Sequence, residues 1–259
     1  MELTLFNQTP EWLAALVLAA LCAGYLDAIA GGGGIIQVPV LLLSGMAPVN
    51  VLATNKAVAL VGTASAALRY ALDGKIVWRI VRVAAVPCVL AAFLGSRLAI
   101  LTPDWILELC ILVCLIVALL VALLVKVRGS ERASPPPSAA RIIAGLAPVG
   151  LYDGFSGPGT GVFLLLVKHA RLKLELLAAT ATSKPINLLT NIGGVAAFIW
   201  AGKVVWIVAL PMILANALGG WLGSRAAISK GAPFIRGMLL VMLVALMGMT
   251  LWKAGHEFL

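Results

Sequence analysis

The sequence predicts an all-α polytopic membrane protein made of two inverted repeats, with about eight transmembrane helices that include discontinuous or re-entrant segments at two glycine motifs. Three observations carry the prediction: composition, the spacing of apolar runs, and an internal repeat. Of 259 residues, 62% are apolar and only 11% are Asp, Glu, Lys or Arg, against about 25% charged in an ordinary soluble domain. Mean hydropathy is +1.09. So few charges cannot cover the surface of a compact soluble chain of this size, which leaves lipid as the solvent. Disorder, collagen-like repeats and a disulfide scaffold are excluded by the same figures, since the chain has only 4 Cys. Cys22, Cys88, Cys110 and Cys114 lie inside apolar runs and read as small hydrophobes; Cys110 and Cys114 share a helix face without making a redox pair.

The elements follow from a spanning length of about 20 residues. A first apolar run over residues 12–30 meets Gly31-Gly32-Gly33-Gly34. A run over 35–43 is half a span long and reads as a half-helix or re-entrant arm. Full-length runs follow over 49–72, 78–100 and 105–125. The hydrophilic stretch from Lys126 to Arg141, with three consecutive prolines from Pro135, divides the chain near its middle. This gives a first repeat over 1–127, a cytoplasmic linker over 128–140 and a second repeat over 141–259. The N-terminus carries Glu2 and Glu11 but no Lys or Arg before the first run, so it lacks the basic leader of a secretory signal and the run is expected to stay in the mature protein.

The repeat is visible residue by residue. Asp27 with Gly31 and Gly33 matches Asp153 with Gly157 and Gly159, 126 positions on. Ala53-Thr54-Asn55-Lys56 matches Ala181-Thr182-Ser183-Lys184, Gly74-Lys75 and Trp78 match Gly202-Lys203 and Trp206, and Leu94-Gly95-Ser96-Arg97 matches Leu222-Gly223-Ser224-Arg225, all 128 positions on. Ordered blocks at one offset after a single two-residue insertion indicate duplication. Cations at Lys75, Arg79, Arg82, in the linker, at Lys168, Arg171 and Lys173, and at Arg225, Lys230 and Arg236 read as cytoplasmic. If the first run and its half-helix form a hairpin, three spans per half make the halves inverted about an axis in the membrane plane, with Arg97 and Lys203 facing outward. Trp12, Trp78, Trp105, Trp200, Trp206 and Trp252 fall near run ends, as an interfacial belt requires.

Three residue sets carry chemistry. The glycine breaks leave backbone groups without helical partners, which at membrane depth must be buried in protein or line a wet cavity. They are read either as half-helix N-termini that attract an anion or as close-packing sites. Asp27 and Asp153 stand four residues before the glycines; an intramembrane carboxylate either anchors the unwound segment, carries a proton, or snorkels to the interface. Lys56 and Lys184 lie too deep in their runs for snorkelling alone. Together with Asn55, Thr63, Asn187 and Asn191 on polar stripes they form an anion-selective set, or else they are structural ion-pair partners of the two carboxylates. Pro185 is expected to kink its helix beside Lys184. Arg97 and Arg225 end their spans at headgroup level, while His169 and His256 lie beside charged run ends and read as solvated, so no metal site follows. No His-based catalytic arrangement, zinc-protease motif or phosphate loop occurs. The charge of +9 sits between hydrophobic runs, which accounts for it without nucleic acid.

Gly24-Tyr-Leu-Asp27-Ala-Ile-Ala-Gly31-Gly-Gly-Gly34, Thr54-Asn55-Lys56, the stretch from Tyr152 to Gly161, and Thr182-Ser183-Lys184 through Asn187 and Asn191 resemble the sulfite exporter TauE/SafE family over nearly the whole chain. Ser183 and Pro185 depart from the family's commoner Thr and Leu. The resemblance implies a bacterial inner-membrane, multi-pass transporter that exports sulfite, organosulfonates or related sulfur-containing anions. The expectation is therefore a secondary exporter of a small sulfur oxyanion, with an anion channel or an uptake carrier as alternatives, no enzymatic activity and no cofactor. Its expected substrate-binding residues are Asn55, Lys56, Ser183, Lys184, Asn187, Asn191, Gly32, Gly33, Gly159 and Thr160, with Asp27 and Asp153 as coupling or structural carboxylates. Its expected partners are the anion, protons and the lipid bilayer.

Overall fold

The computed structural model describes residues 10–124 and 137–257. Most of the linker expected at 128–140 therefore lies outside the described residues. The chain forms α1 (Pro10–Ala30), α2 (Gly33–Leu43), α3 (Pro48–Leu72), α4 (Trp78–Leu101), α5 (Asp104–Leu124), α6 (Ala139–Phe155), α7 (Thr160–Leu166), α8 (Leu176–Trp200) and α9 (Trp206–Glu257), with a π turn at Val167–Arg171 after α7. The described residues hold no strand. Glu11–Ala30, Pro48–Leu72, Trp78–Leu101 and Trp206–Met238 are long and apolar enough to cross a bilayer. α9 is broken at Gly231, whose φ of 68° is left-handed and whose successor but one is Pro233. Pro185 does not break α8, which runs through it as one helix.

Glycine punctuates the chain at matched places. Left-handed backbone falls at Gly31 and Gly157, at Gly74 and Gly202, and at Gly45 and its counterpart Lys173. The breaks after α1 and α6 thus share a conformation, and each releases a short helix.

Packing interlocks the halves. α1 lies mainly on α9, and its counterpart α6 lies mainly on α4. Both contacts are made through glycine: a Cβ at Gly223 would collide with the Tyr25 carbonyl, and one at Gly95 with the Leu151 carbonyl. Helices without a hydrophobic drive to associate gain from such backbone approach.

α3 and α8 pack antiparallel at the centre. The Val205 amide, just past the end of α8, donates to Thr54 Oγ1 near the start of α3 at 3.1 Å, and the Val77 amide, just past the end of α3, donates to Thr182 Oγ1 near the start of α8 at 3.0 Å. Asn50 Nδ2 also donates to the Lys203 carbonyl. These bonds define two ends of the bundle. One, the basic end, holds Lys75, Arg79 and the segment from Lys168 to Lys173. The other holds Lys203 and Arg97, whose guanidinium stacks 5.7 Å from the Trp200 ring centre. Since α2 leads to the start of α3 and α7 leads to the start of α8, the two short helices run from the middle toward opposite ends.

Several expectations about side chains need correcting. His169, expected in solvent, is buried, with Nδ1 at 2.8 Å from the Leu174 carbonyl oxygen. Lys168, expected as a flanking cation, is completely buried. Both follow from the π turn, which tucks this segment under the start of α8 instead of ending it at the surface. Of the cysteines, Cys88 is buried and Cys110 and Cys114 are partly buried, whereas Cys22 is exposed on the apolar outer face; all four are free. The side chains of His256 and Trp252 lie outside those described. Trp12, Trp78, Trp105, Trp200 and Trp206 are exposed near helix ends.

Candidate functional site

The two breaks meet. A Cβ on Gly31 would collide with the backbone of Gly161, and one on Gly161 with the backbone of Gly31. A Cβ on Gly34 would stand 3.2 Å from Pro158 Cα. Any side chain at Gly31 or Gly161 would push the two segments apart, so glycine is a requirement of contact at both positions and of dihedral angle at Gly31 as well.

Around this contact lies a cavity of about 30 Å³, lined by Asp27, Asn55, Lys56, Asp153, Asn187 and Asn191 together with Ala59, Thr160 and glycines from both breaks. One water needs about 10–15 Å³ on this measure, so the space holds about two waters.

Lys56 enters from α3. Its Nζ is 2.9 Å from Asp153 Oδ1 and 3.3 Å from Asn191 Oδ1. Asn191 in turn donates to Thr63 Oγ1 at 3.3 Å. Gly194 makes room for the lysine stem: a Cβ there would lie 2.6 Å from Lys56 Cδ. Asp153 Oδ1 also accepts from Thr160 Oγ1 at 2.8 Å, while Asp153 Oδ2 is buried with no partner.

Lys184 enters from α8 and donates to the main-chain carbonyl of Asp27 and to Asp27 Oδ2, the latter at 3.1 Å. The Gly33 amide lies 3.4 Å from Asp27 Oδ1. The ion pairs are thus crossed: the lysine of each half meets the carboxylate of the other. The pairs are also unequal, because the Asp153 side chain is 4% exposed and that of Asp27 is 17% exposed.

Of the expected site residues, the cavity gathers Asn55, Lys56, Asn187, Asn191, Gly159, Thr160, Asp27 and Asp153. It does not gather Ser183, Lys184, Gly32 or Gly33. Ser183 Oγ donates to the Ala179 carbonyl of its own helix, and Lys184 is drawn behind α1 by Asp27. Gly32 and Gly33 turn away because the chain reverses at Gly31, so Gly31 and Gly34 line the space in their place. Gly157, Gly161 and Ala59 also line it, and Gly194 supports it. Their signal was present as small residues in and beside the breaks, but spacing alone does not say which glycine faces inward.

A family model described as "Sulfite exporter TauE/SafE" matches residues 16–250. The chain is 36% identical over 238 residues to a probable membrane transporter protein, ORF9, of a Sinorhizobium species, covering 90% of each chain. It is 33% identical over 265 residues to the probable membrane transporter protein YfcA of Escherichia coli K12, covering 99% of this chain and 96% of that one. A probable membrane transporter protein of Haemophilus influenzae is 33% identical over 247 residues, covering 90% and 91%. No solved structure matches the chain.

Proposed function

This chain belongs to the sulfite exporter TauE/SafE family and is a membrane transporter, not an enzyme; from that premise we propose that it is a multi-pass secondary carrier of the bacterial inner membrane that exports a small sulfur oxyanion of the sulfite or sulfonate class. The observation that carries the reading is the crossed pair of lysines and carboxylates around a small chamber where two broken helices meet.

Matched bonds at both ends, Thr54 with Val205 and Thr182 with Val77, support the two halves being inverted copies related by an axis in the membrane plane. The excess of cations at one end supports that end being cytoplasmic. In this arrangement the chamber lies near the bilayer midplane, which is where such carriers hold substrate.

A sulfite ion has four heavy atoms and does not fit a space for two waters, so binding requires the pairs to loosen. The anion takes the place of Asp153 on Lys56, and Asn55, Asn187 and Asn191 donate to its remaining oxygens. The Lys56–Asp153 and Lys184–Asp27 pairs beside the chamber are neutral as pairs, and an added anion leaves negative charge in excess. Asp153, whose Oδ2 has no partner, takes up a proton to restore neutrality, which couples anion movement to protons. Voltage alone also favours export, since a monovalent anion leaving a negative interior gains about 2.3 kcal/mol per 100 mV.

The test is flux in proteoliposomes with sulfite, thiosulfate, sulfonates and sulfate under imposed voltage and pH gradients. Saturable sulfite or sulfonate flux that responds to both gradients is the expected result. Unsaturable flux without countertransport would make the protein a channel, and no flux of any of these anions would end the reading.

A further inference from the structure

Lys56, which lines the central chamber, and Lys184 beside it are each paired with a carboxylate, so the two pairs offer an arriving anion no net charge. Among the described residues, one buried lysine amine has no such partner. Lys168 is 0% exposed, and its Nζ makes no hydrogen bond. It lies on the π turn between α7 and α8, within electrostatic reach of Cys88 on α4 and Lys184 on α8. Thr180, one helical turn before Lys184, is also buried with an unpartnered hydroxyl. An amine removed from water without a partner gives up its proton, and it is held as an ammonium only where an anion pairs with it.

Comparison of the halves sharpens the point. They run 126 positions apart at Gly31 and Gly157 and 128 apart at Gly45 and Lys173, so two residues were added to the second half between these landmarks. The π turn falls in that interval, and extra residues in a helix are absorbed as π turns, often at functional sites. At either offset Lys168 corresponds to an aliphatic residue of α2, Val40 or Leu42, and Thr180 corresponds to Leu52, which is buried. The first half places aliphatic side chains at these positions, the buried polar group of α2 being Gln37, one turn earlier. The second half places a lysine amine and a hydroxyl there, at the basic end.

We propose that Lys168, together with Thr180, forms a second anion station between the central chamber and the basic end of the bundle. A small oxyanion entering from that end pairs with Lys168 first and then passes to Lys56. The station rests on the anion-carrier reading above and adds to it a one-sided binding step that the symmetric pairs do not provide.

The experiment measures sulfite flux in right-side-out and inside-out membrane vesicles bearing the full-length protein as wild type, Lys168→Met, Lys168→Arg and Thr180→Val, with melting of each purified protein in detergent. The expected result for Lys168→Met is a roughly tenfold rise in half-saturating sulfite at the basic face, with the opposite face within about twofold of wild type and an unliganded melting midpoint at or above wild type. Lys168→Arg stays near wild type, and Thr180→Val gives about a two- to threefold rise at the same face. Unchanged half-saturation at the basic face in Lys168→Met, with wild-type flux intact, overturns the station alone. Equal losses at both faces with a lowered melting midpoint make Lys168 structural and also overturn it. If Lys168→Met does not fold, Thr180→Val decides: wild-type half-saturation at the basic face overturns the station. A wild type that moves none of sulfite, thiosulfate, sulfonates and sulfate at either face overturns the carrier reading and this station with it.

Discussion

Replacing Lys56 and Asp153 singly and together separates a ligand from a brace. At 2.9 Å with side chains 3% and 4% exposed, and with an effective dielectric of about 20, the pair attracts by about 6 kcal/mol. Removing two ions from water costs several kcal/mol each, so the net contribution of the intact pair is close to zero. Taking away one partner leaves a buried charge uncompensated, which costs about 3–5 kcal/mol. Lys56→Met and Asp153→Asn are each expected to destabilise by that amount. Lys56→Met/Asp153→Asn is expected to recover most of it, a coupling of at least about 2 kcal/mol in a double-mutant cycle measured by unfolding in detergent. Flux is expected to follow a different pattern: Lys56→Met and the double variant both lose sulfite transport more than tenfold, because refolding the chamber does not return the ammonium. Near-wild-type flux in the double variant would refute the assignment and leave the pair as a structural contact.

Four further expectations follow from the same geometry. Gly161→Ala drives a methyl group into the Gly31 backbone and is expected to cost about 1–3 kcal/mol and abolish flux, whereas Gly45→Ala, with open space around it but left-handed backbone, costs about 1–3 kcal/mol and leaves flux intact; unfolding and flux assays read both. Thr54→Val and Thr182→Val each remove the acceptor of one end amide, so each is expected to cost about 1 kcal/mol and, lying at opposite ends, to add within about 0.5 kcal/mol in the double variant. Ser183→Ala loses only a bond to its own helix, and half-saturating sulfite is expected within about twofold of wild type. Asp153→Asn is expected to retain voltage-driven flux and lose its response to a pH gradient, as a carboxylate that carries the coupled proton requires.

Helix order and the positions of the breaks were legible because each rests on a local rule. An apolar run of spanning length, a run half that length and a left-handed glycine act within a few residues of themselves, so Gly31, Gly157, α2 and α7 fell where expected. The matched blocks were legible for the same reason, since sequence offsets need no knowledge of packing. Choosing the inward-facing glycines was not, because a turn at Gly31 rotates Gly32 and Gly33 away from the space that Gly31 and Gly34 border, and that rotation depends on where Gly161 presses from the other half. Ser183 and Asn55 both precede a lysine, but a hydroxyl on a helix satisfies itself on the carbonyl four residues back, while the longer amide of Asn55 reaches the cavity.

The crossing of the ion pairs exposes a deeper limit. Within each half, the carboxylate and the lysine lie about thirty residues apart, and nothing in that spacing distinguishes a partner in the same repeat from one in the other. Interlocking decides it. Because α1 leans on α9 and α6 on α4, each break is carried across the centre to the opposite half's polar stripe, so Asp27 reaches Lys184 and Asp153 reaches Lys56. Lys168 was obscured differently. Cations at the ends of apolar runs nearly always mark an interface, and by that rule Lys168 belongs with Arg171 and Lys173. Two added residues break the rule, since the π turn carries Lys168 and His169 inward while Arg171 and Lys173 stay out. A cation next to a mismatch between repeat offsets is therefore the place where the end-of-run reading should give way to a buried one.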